Sequence, residues 1–133
     1  MGDRPYEGAQ SIRDLYIQFL EREIGVNLSI VEGLVDGSAD GQTLEKLIQR
    51  VDPENLREVG IGEIISRIAG VRREIIDELE SAESDSWSRS ILADGDPVSL
   101  YEWTFAMALR DADDLREIGI QFYERRMAFG IRD

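Results

Sequence analysis

A chain of 133 residues with no cysteine, no histidine and a net charge of −13 has ordinary single-domain size and needs neither disulfide nor metal staples to bury a core. The two missing residue types remove thiol nucleophiles, thiolate metal sites, and the commonest general base and metal ligand. Excess carboxylate also disfavours nucleic acid, whose phosphates must meet a cationic face.

No apolar run approaches the roughly 18–20 residues of a membrane span, and the start, MGDRPYEGAQ, lacks the basic and apolar regions of a signal peptide. A cytoplasmic place, or one inside a virus particle, is therefore expected, neither secreted nor in a membrane. Fourteen of the fifteen basic residues are arginine, Lys46 being the exception. That bias suits a high-GC or salt-loving source, in which a low pI is ordinary.

In chain order, Ile12, Leu15, Tyr16, Phe19 and Leu20 fall at helical spacing and predict a first helix over about 11–24. Ser11 and Asp14 approximate a capping box, and Gly25 supplies the stop. A short helix over about 27–35 would bury Leu28, Val31 and Leu34, and a third after the turn DGSADG carries Leu44, Leu47, Ile48 and Val51 on one face. Asp52-Pro53 restarts a brief helix ending at Gly60. The longest predicted helix spans about 62–80, with Ile61, Ile64, Ile65, Ile68, Ile75, Ile76 and Leu79 as its buried stripe. So many β-branched residues imply that packing, not propensity, holds it. Residues 80–90, ESAESDSWSRS, read as the best linker candidate, although Trp87, Ile91 and Leu92 suggest a short helix docking just after it starts. Asp96-Pro97 then opens a helix whose middle, LYEWTFAMAL, is apolar nearly all round, and DADDLREIGIQFYERRMAFGIRD makes a last one.

DPENLREVGI (52–61) and DADDLREIGI (111–120) echo one another at an offset of 59, with nine identities over the 23 positions from 52 to 74. This raises two duplicated helical halves, with repeat units 16–74 and 75–133. The expected fold is therefore all-α: a compact orthogonal array of six or seven helices forming one acidic domain over 1–133.

Four places carry patterns that a functional site would show. Val59, Gly60, Ile61 and Gly62, with Ser66 beyond, fit the outline of a helix-hairpin-helix turn, whose backbone N–H groups meet a phosphate. Glu58 and Glu63 bracket it with negative charge, so a structural helix corner is the expectation and nucleic acid is disfavoured. The same region, through Asp40-Gly41, Leu44, Leu47, LREVGI, Arg72, Ile75, Ile76 and Leu79, resembles a sterile alpha motif (SAM) domain over about residues 11–80. That resemblance implies a helical interaction module that self-associates. Asp36, Ser38, Asp40 and Gly41 match positions 1, 3, 5 and 6 of a calcium-binding EF-hand loop. Position 12 is Leu47, where a bidentate Glu is required, so a capped turn is expected and no metal or cofactor. Adjacent carboxylates such as Asp113 and Asp114 fit a solvated face better than acid–base chemistry.

The final segment differs in kind. Phe122, Tyr123, Met127 and Phe129 alternate with Arg125, Arg126 and Arg132, the residue types enriched at protein interfaces. The function expected is a non-enzymatic interaction or assembly module, pairing with itself or a protein partner, as part of a viral or cellular assembly. The rival readings are an acidic inhibitor that mimics DNA and a helix-hairpin-helix nucleic-acid binder from a high-salt organism.

Overall fold

The first 33 described positions make one helical run. α1 (Arg4–Arg22) passes through a π-helical turn (Glu23–Asn27) into α2 (Leu28–Asp36), and the N–H of Leu28 reaches back five residues to the carbonyl of Glu23. In this computed structural model the described residues are 4–51, 56 and 58–128, with side chains described over 12–51, 56 and 58–120. Gly25, expected to stop the first helix, lies inside the wide turn. Its carbonyl accepts the Gln49 N–H at 2.7 Å, and a Cβ at Gly25 would stand 2.7 Å from the Gln49 oxygen. The glycine is there for a close approach of two backbones.

α2 ends where a left-handed residue is needed. Gly37 has φ 90°, and the Ala39 N–H returns to the Gly33 carbonyl at 2.9 Å, a helix-terminating arrangement that glycine makes without strain. Two further carbonyls at this end are capped from far along the chain. Arg89 Nη1 donates to Leu34 O and Val35 O at 3.0 and 2.7 Å, and Ser86 Oγ donates to Val35 O at 3.1 Å. Residues 80–90 thus contain the end of one helix, a 3₁₀ turn (Ser86–Ser88) docked on α2, and the start of a strand.

The third expected helix shrinks to one turn, α3 (Leu44–Leu47). Ile48 has extended backbone and is exposed, because the chain must leave the helix to place Gln49 against Gly25. The predicted helix from Asp52-Pro53 lies mostly outside the described residues. α4 (Ile61–Ser81) matches the longest predicted helix. Its apolar stripe is not all buried: Ile64 and Ile75 are, whereas Ile61, Ile65 and Ile76 are exposed.

The all-α expectation is overturned at residues 90–99. β1 (Ser90–Ala93) and β2 (Asp96–Ser99) pair antiparallel, with Ile91 opposite Val98 and Leu92 opposite Pro97. Between them Asp94 (φ 54°) and Gly95 (φ 83°) are both left-handed. That is the geometry of a type I′ turn, for which Asp-Gly is a favoured pair. Asp96-Pro97 is therefore a strand, not a helix start. The Leu92 N–H donates outward to Gln42 O at 2.8 Å, so Leu92 and Pro97 form a non-hydrogen-bonded pair and the proline nitrogen faces the open edge of β2, where no ladder bond is lost.

α5 (Leu100–Ala128) begins three residues after that proline. Ser99 Oγ accepts the Glu102 N–H at 3.0 Å and Glu102 Oε1 accepts the Ser99 N–H at 2.9 Å, a complete capping box. The two helices expected over this region are one rod of 29 residues. Together with the continuous run through Asn27 this leaves, among the described residues, four helices of nine residues or more. The protein is mostly helical with a small antiparallel hairpin, not a six- or seven-helix array.

The echoed segments differ at the glycine they share, where both are described. Gly60 is extended (ψ 151°) ahead of α4, while Gly119 lies within α5. Where the first segment has Pro53 the second has Ala112, so nothing interrupts the helix there. α1 packs on α5 and α4, and α2 packs on α4. Two apolar clusters result: Ile30, Val31, Leu34, Ile75, Ile91, Leu100 and Met107 in the larger, and Leu20, Leu56 and Ile64 in the smaller. No helix among the described residues is long and apolar enough to cross a membrane.

Candidate functional site

α5 carries apolar side chains on two faces. Leu100, Met107 and Ile118 are buried against the rest of the protein. Further round the helix Tyr101, Phe105, Leu109 and Leu115 are 66%, 60%, 55% and 69% exposed. At 100° per residue Tyr101, Phe105, Ala108, Ala112 and Leu115 fall in one stripe, with Arg116 at its edge and Leu109 and Ile120 just beyond. From Tyr101 to Ile120 this stripe runs about 28 Å.

At its N-terminal end the stripe becomes concave. Trp87, delivered by the docked 3₁₀ turn, stands beside the helix, and with Tyr101, Thr104, Phe105 and Ala108 it lines an open apolar groove of about 500 Å³. Three exposed carboxylates adjoin this groove in sequence: Glu83 and Asp85, four and two residues before Trp87, and Glu102, next to Tyr101. Backbone and side-chain hydrogen bonds to Ser99 hold the Glu102 carboxyl below its ordinary pKa.

The orientation of α5 is set from behind by a charged network at the junction of the two clusters. Glu23 is fully buried. Its Oε1 accepts Asn27 Nδ2 at 2.6 Å and its Oε2 accepts Arg72 Nε at 2.7 Å. The other face of the same guanidinium forks onto both carboxylate oxygens of Asp111 in α5, the bidentate geometry that suits Arg alone among the cations. The hydrogen bond to Asp111 first, then Glu23, raises the Arg72 pKa further above its ordinary value, against the opposing effect of burial. Arg22 adds a second tie to α5, donating to Asp114 at 2.5 Å. Phe19 lies under both cations, 5.3 Å from the Arg22 and 5.4 Å from the Arg72 guanidinium carbon. Trp103 Nε1 donates to Asn27 Oδ1 at 3.2 Å, so α5 is pinned at Trp103, Asp111 and Asp114, and a cavity of about 160 Å³ lies beside these contacts, lined by Arg22, Asn27, Trp103, Met107, Arg110 and Asp111.

Among the residues singled out from sequence, Phe122, Tyr123, Arg125, Arg126 and Met127 belong to the last turns of α5, where the backbone alone is described, and Phe129 and Arg132 lie outside the described residues. Gly60, Ile61 and Gly62 open α4. A Cβ at Gly60 or Gly62 would meet nothing, and Arg13 Nη2 donates to the carbonyls of Val59 and Leu56 at 2.5 and 3.2 Å. The turn thus presents its carbonyls to a cation of the same chain, and Glu63 stands in the first turn of the helix, paired with Arg67 at 3.1 Å. In the EF-hand-like loop Asp36 accepts the Ser38 N–H at 2.7 Å and Asp40 accepts the Ser90 N–H at 3.0 Å. The Ser38 hydrogen bonds hold the Asp36 carboxyl below its ordinary pKa. Both carboxylates serve as backbone caps.

The sequence marks Trp87 as a docking residue but not as part of a groove, and marks neither the solvent face of α5 nor the Glu23–Arg72–Asp111 network. The network's members are separated by 49 and 39 positions, and no local pattern marks them. The face was legible in part, since LYEWTFAMAL is apolar nearly all round. The chain matches no protein-family model, and no curated protein or solved structure proves similar to it, so the sterile alpha motif resemblance draws no support from those comparisons.

Proposed function

We propose that this chain is a non-enzymatic interaction module that associates with its own kind, as one component of a larger viral or cellular assembly. The observation that carries this reading is the second apolar face of α5. A helix with one buried stripe normally turns charge to the solvent; here Tyr101, Phe105, Leu109 and Leu115 stand where charge is expected. Removing such a side chain from water stabilises a complex by about 1.5–3 kcal/mol, and a handful of aromatic and aliphatic anchors is enough to dominate an interface. The network behind α5 supports the same reading, because ties from Arg72, Arg22 and Asn27 hold the face in one orientation before any partner arrives. Preorganisation of this kind lowers the entropic cost of docking.

Light scattering across a wide concentration range tests the proposal. A mass that climbs above the 15.1 kDa of one chain, and that falls back when Leu109→Lys breaks the stripe, is the expected result. A mass that stays at one chain throughout removes the claim of self-association.

A further inference from the structure

The groove at the N-terminal end of α5 has a chemistry that selects its occupant. Its floor is Trp87, Tyr101 and Phe105, and the acidic residues nearest to that floor in sequence, Glu83, Asp85 and Glu102, are all exposed. The basic residue nearest in sequence, Arg89, is committed to the carbonyls of Leu34 and Val35. A matching ligand is apolar and aromatic with two or three cations close by, carried on a peptide.

One stretch of this chain has that composition. Residues 121–133 hold three Arg against Glu124 and Asp133, a net charge of +1, so the other 120 residues carry −14 of the total of −13. The same stretch holds Phe122, Tyr123, Met127 and Phe129. It is a basic, aromatic island on an acidic protein.

It does not reach the groove of its own molecule. Residues up to Ala128 are part of the α5 rod, and Phe105 lies 23 positions back along it, about 34 Å away. The five residues 129–133 span at most about 17 Å when fully extended. A groove occupied by this stretch is therefore occupied by the stretch of another molecule.

Building on the self-association proposed above, we propose that the Trp87–Tyr101–Phe105 groove of one copy receives the Arg- and aromatic-rich segment 122–133 of a second, so that unlike surfaces meet and each molecule uses both. Such heterologous contacts repeat, and they generate rings or open chains where a like-with-like pair would stop at two.

Two variants of the full chain test this by sedimentation velocity. Phe105→Glu spoils the groove and keeps the tail; Arg125→Glu with Arg126→Glu spoils the tail and keeps the groove. Each alone is expected to sediment as a monomer, with association weakened at least tenfold, and an equimolar mixture to yield a dimer and nothing larger. Circular dichroism establishes that each variant is folded. If Phe105→Glu fails to fold, Tyr101→Glu replaces it. A synthetic peptide of residues 121–133 should quench the tryptophan emission of the intact protein, and the same peptide with its three Arg changed to Glu should not. Self-association that persists after residues 122–133 are removed overturns this assignment and leaves the α5-face reading standing. A mixture that gives no dimer also overturns it. A wild-type chain that is monomeric at every concentration sinks both.

Discussion

Replacing Arg72 by methionine removes the cation that joins α4 to both the π-turn and α5. The Glu23 side chain is 1% exposed, and its donors are Arg72 and Asn27. Breaking one partner of a buried pair costs about 3–5 kcal/mol, because the remaining charge is left without compensation. The Asp111 side chain is 26% exposed and regains water, which limits its share to under about 1 kcal/mol. Methionine preserves much of the aliphatic packing, so the expected loss is about 3–4 kcal/mol, nearly all of it at Glu23. A Glu23→Gln background should shrink that loss to about 1–2 kcal/mol, since a neutral amide tolerates a missing partner. Urea unfolding followed by far-UV circular dichroism, run on the wild type, both single variants and the double variant, measures the coupling. A loss under about 1 kcal/mol for Arg72→Met, or strict additivity with Glu23→Gln, would refute the argument that burial of the Glu23 charge sets the energy scale.

Gly33→Ala places a Cβ 2.5 Å from that of buried Ala39; this overpacking should cost about 1–3 kcal/mol and lower the thermal midpoint. Ser99→Ala deletes the acceptor for the Glu102 N–H and should cost about 1 kcal/mol in urea unfolding; an unchanged midpoint would mean the capping box contributes nothing. Glu32 has its pKa raised by desolvation and then by Glu78, Glu74 and Asp36. A raised carboxyl pKa means the folded state holds its proton longer, so stability declines as pH rises through the carboxylate range. Glu32→Gln should therefore stabilise the protein at neutral pH, by about 0.5 kcal/mol at most for so exposed a group, with the gain vanishing in acid. A gain that is equally large at low pH would contradict the sign.

Elements whose signals are local were legible in the sequence. α4 shows its isoleucine periodicity and α2 the DGSADG turn that follows it, and both fall within a residue or two of their predicted bounds. Sequence and structure part where one residue type serves two purposes. Gly25 read as a helix stop because glycine often is one, yet its lack of a side chain admits the Gln49 carbonyl. Asp96-Pro97 read as a helix start, although the Asp94-Gly95 turn just before it marked a hairpin and Ser99 with Glu102 marked the true cap. The candidate site was legible in its apolar character alone. Its exposure depends on which side of α5 the remaining helices cover, and its orientation on ion pairs between residues far apart in the chain.

The wide turn at 23–27 makes the angular phase of the N-terminal rod a matter of counting. An α-helix advances about 100° per residue, and the reach from Leu28 back to Glu23 accommodates one residue more than a regular turn holds. Deleting a single residue there would spin α1 by about that angle relative to α2. Arg22 would swing away from Asp114, and Phe19 out from under Arg72, with no side chain outside the deletion altered. Here chain length itself, independent of chemistry, is what puts the charges within reach of one another.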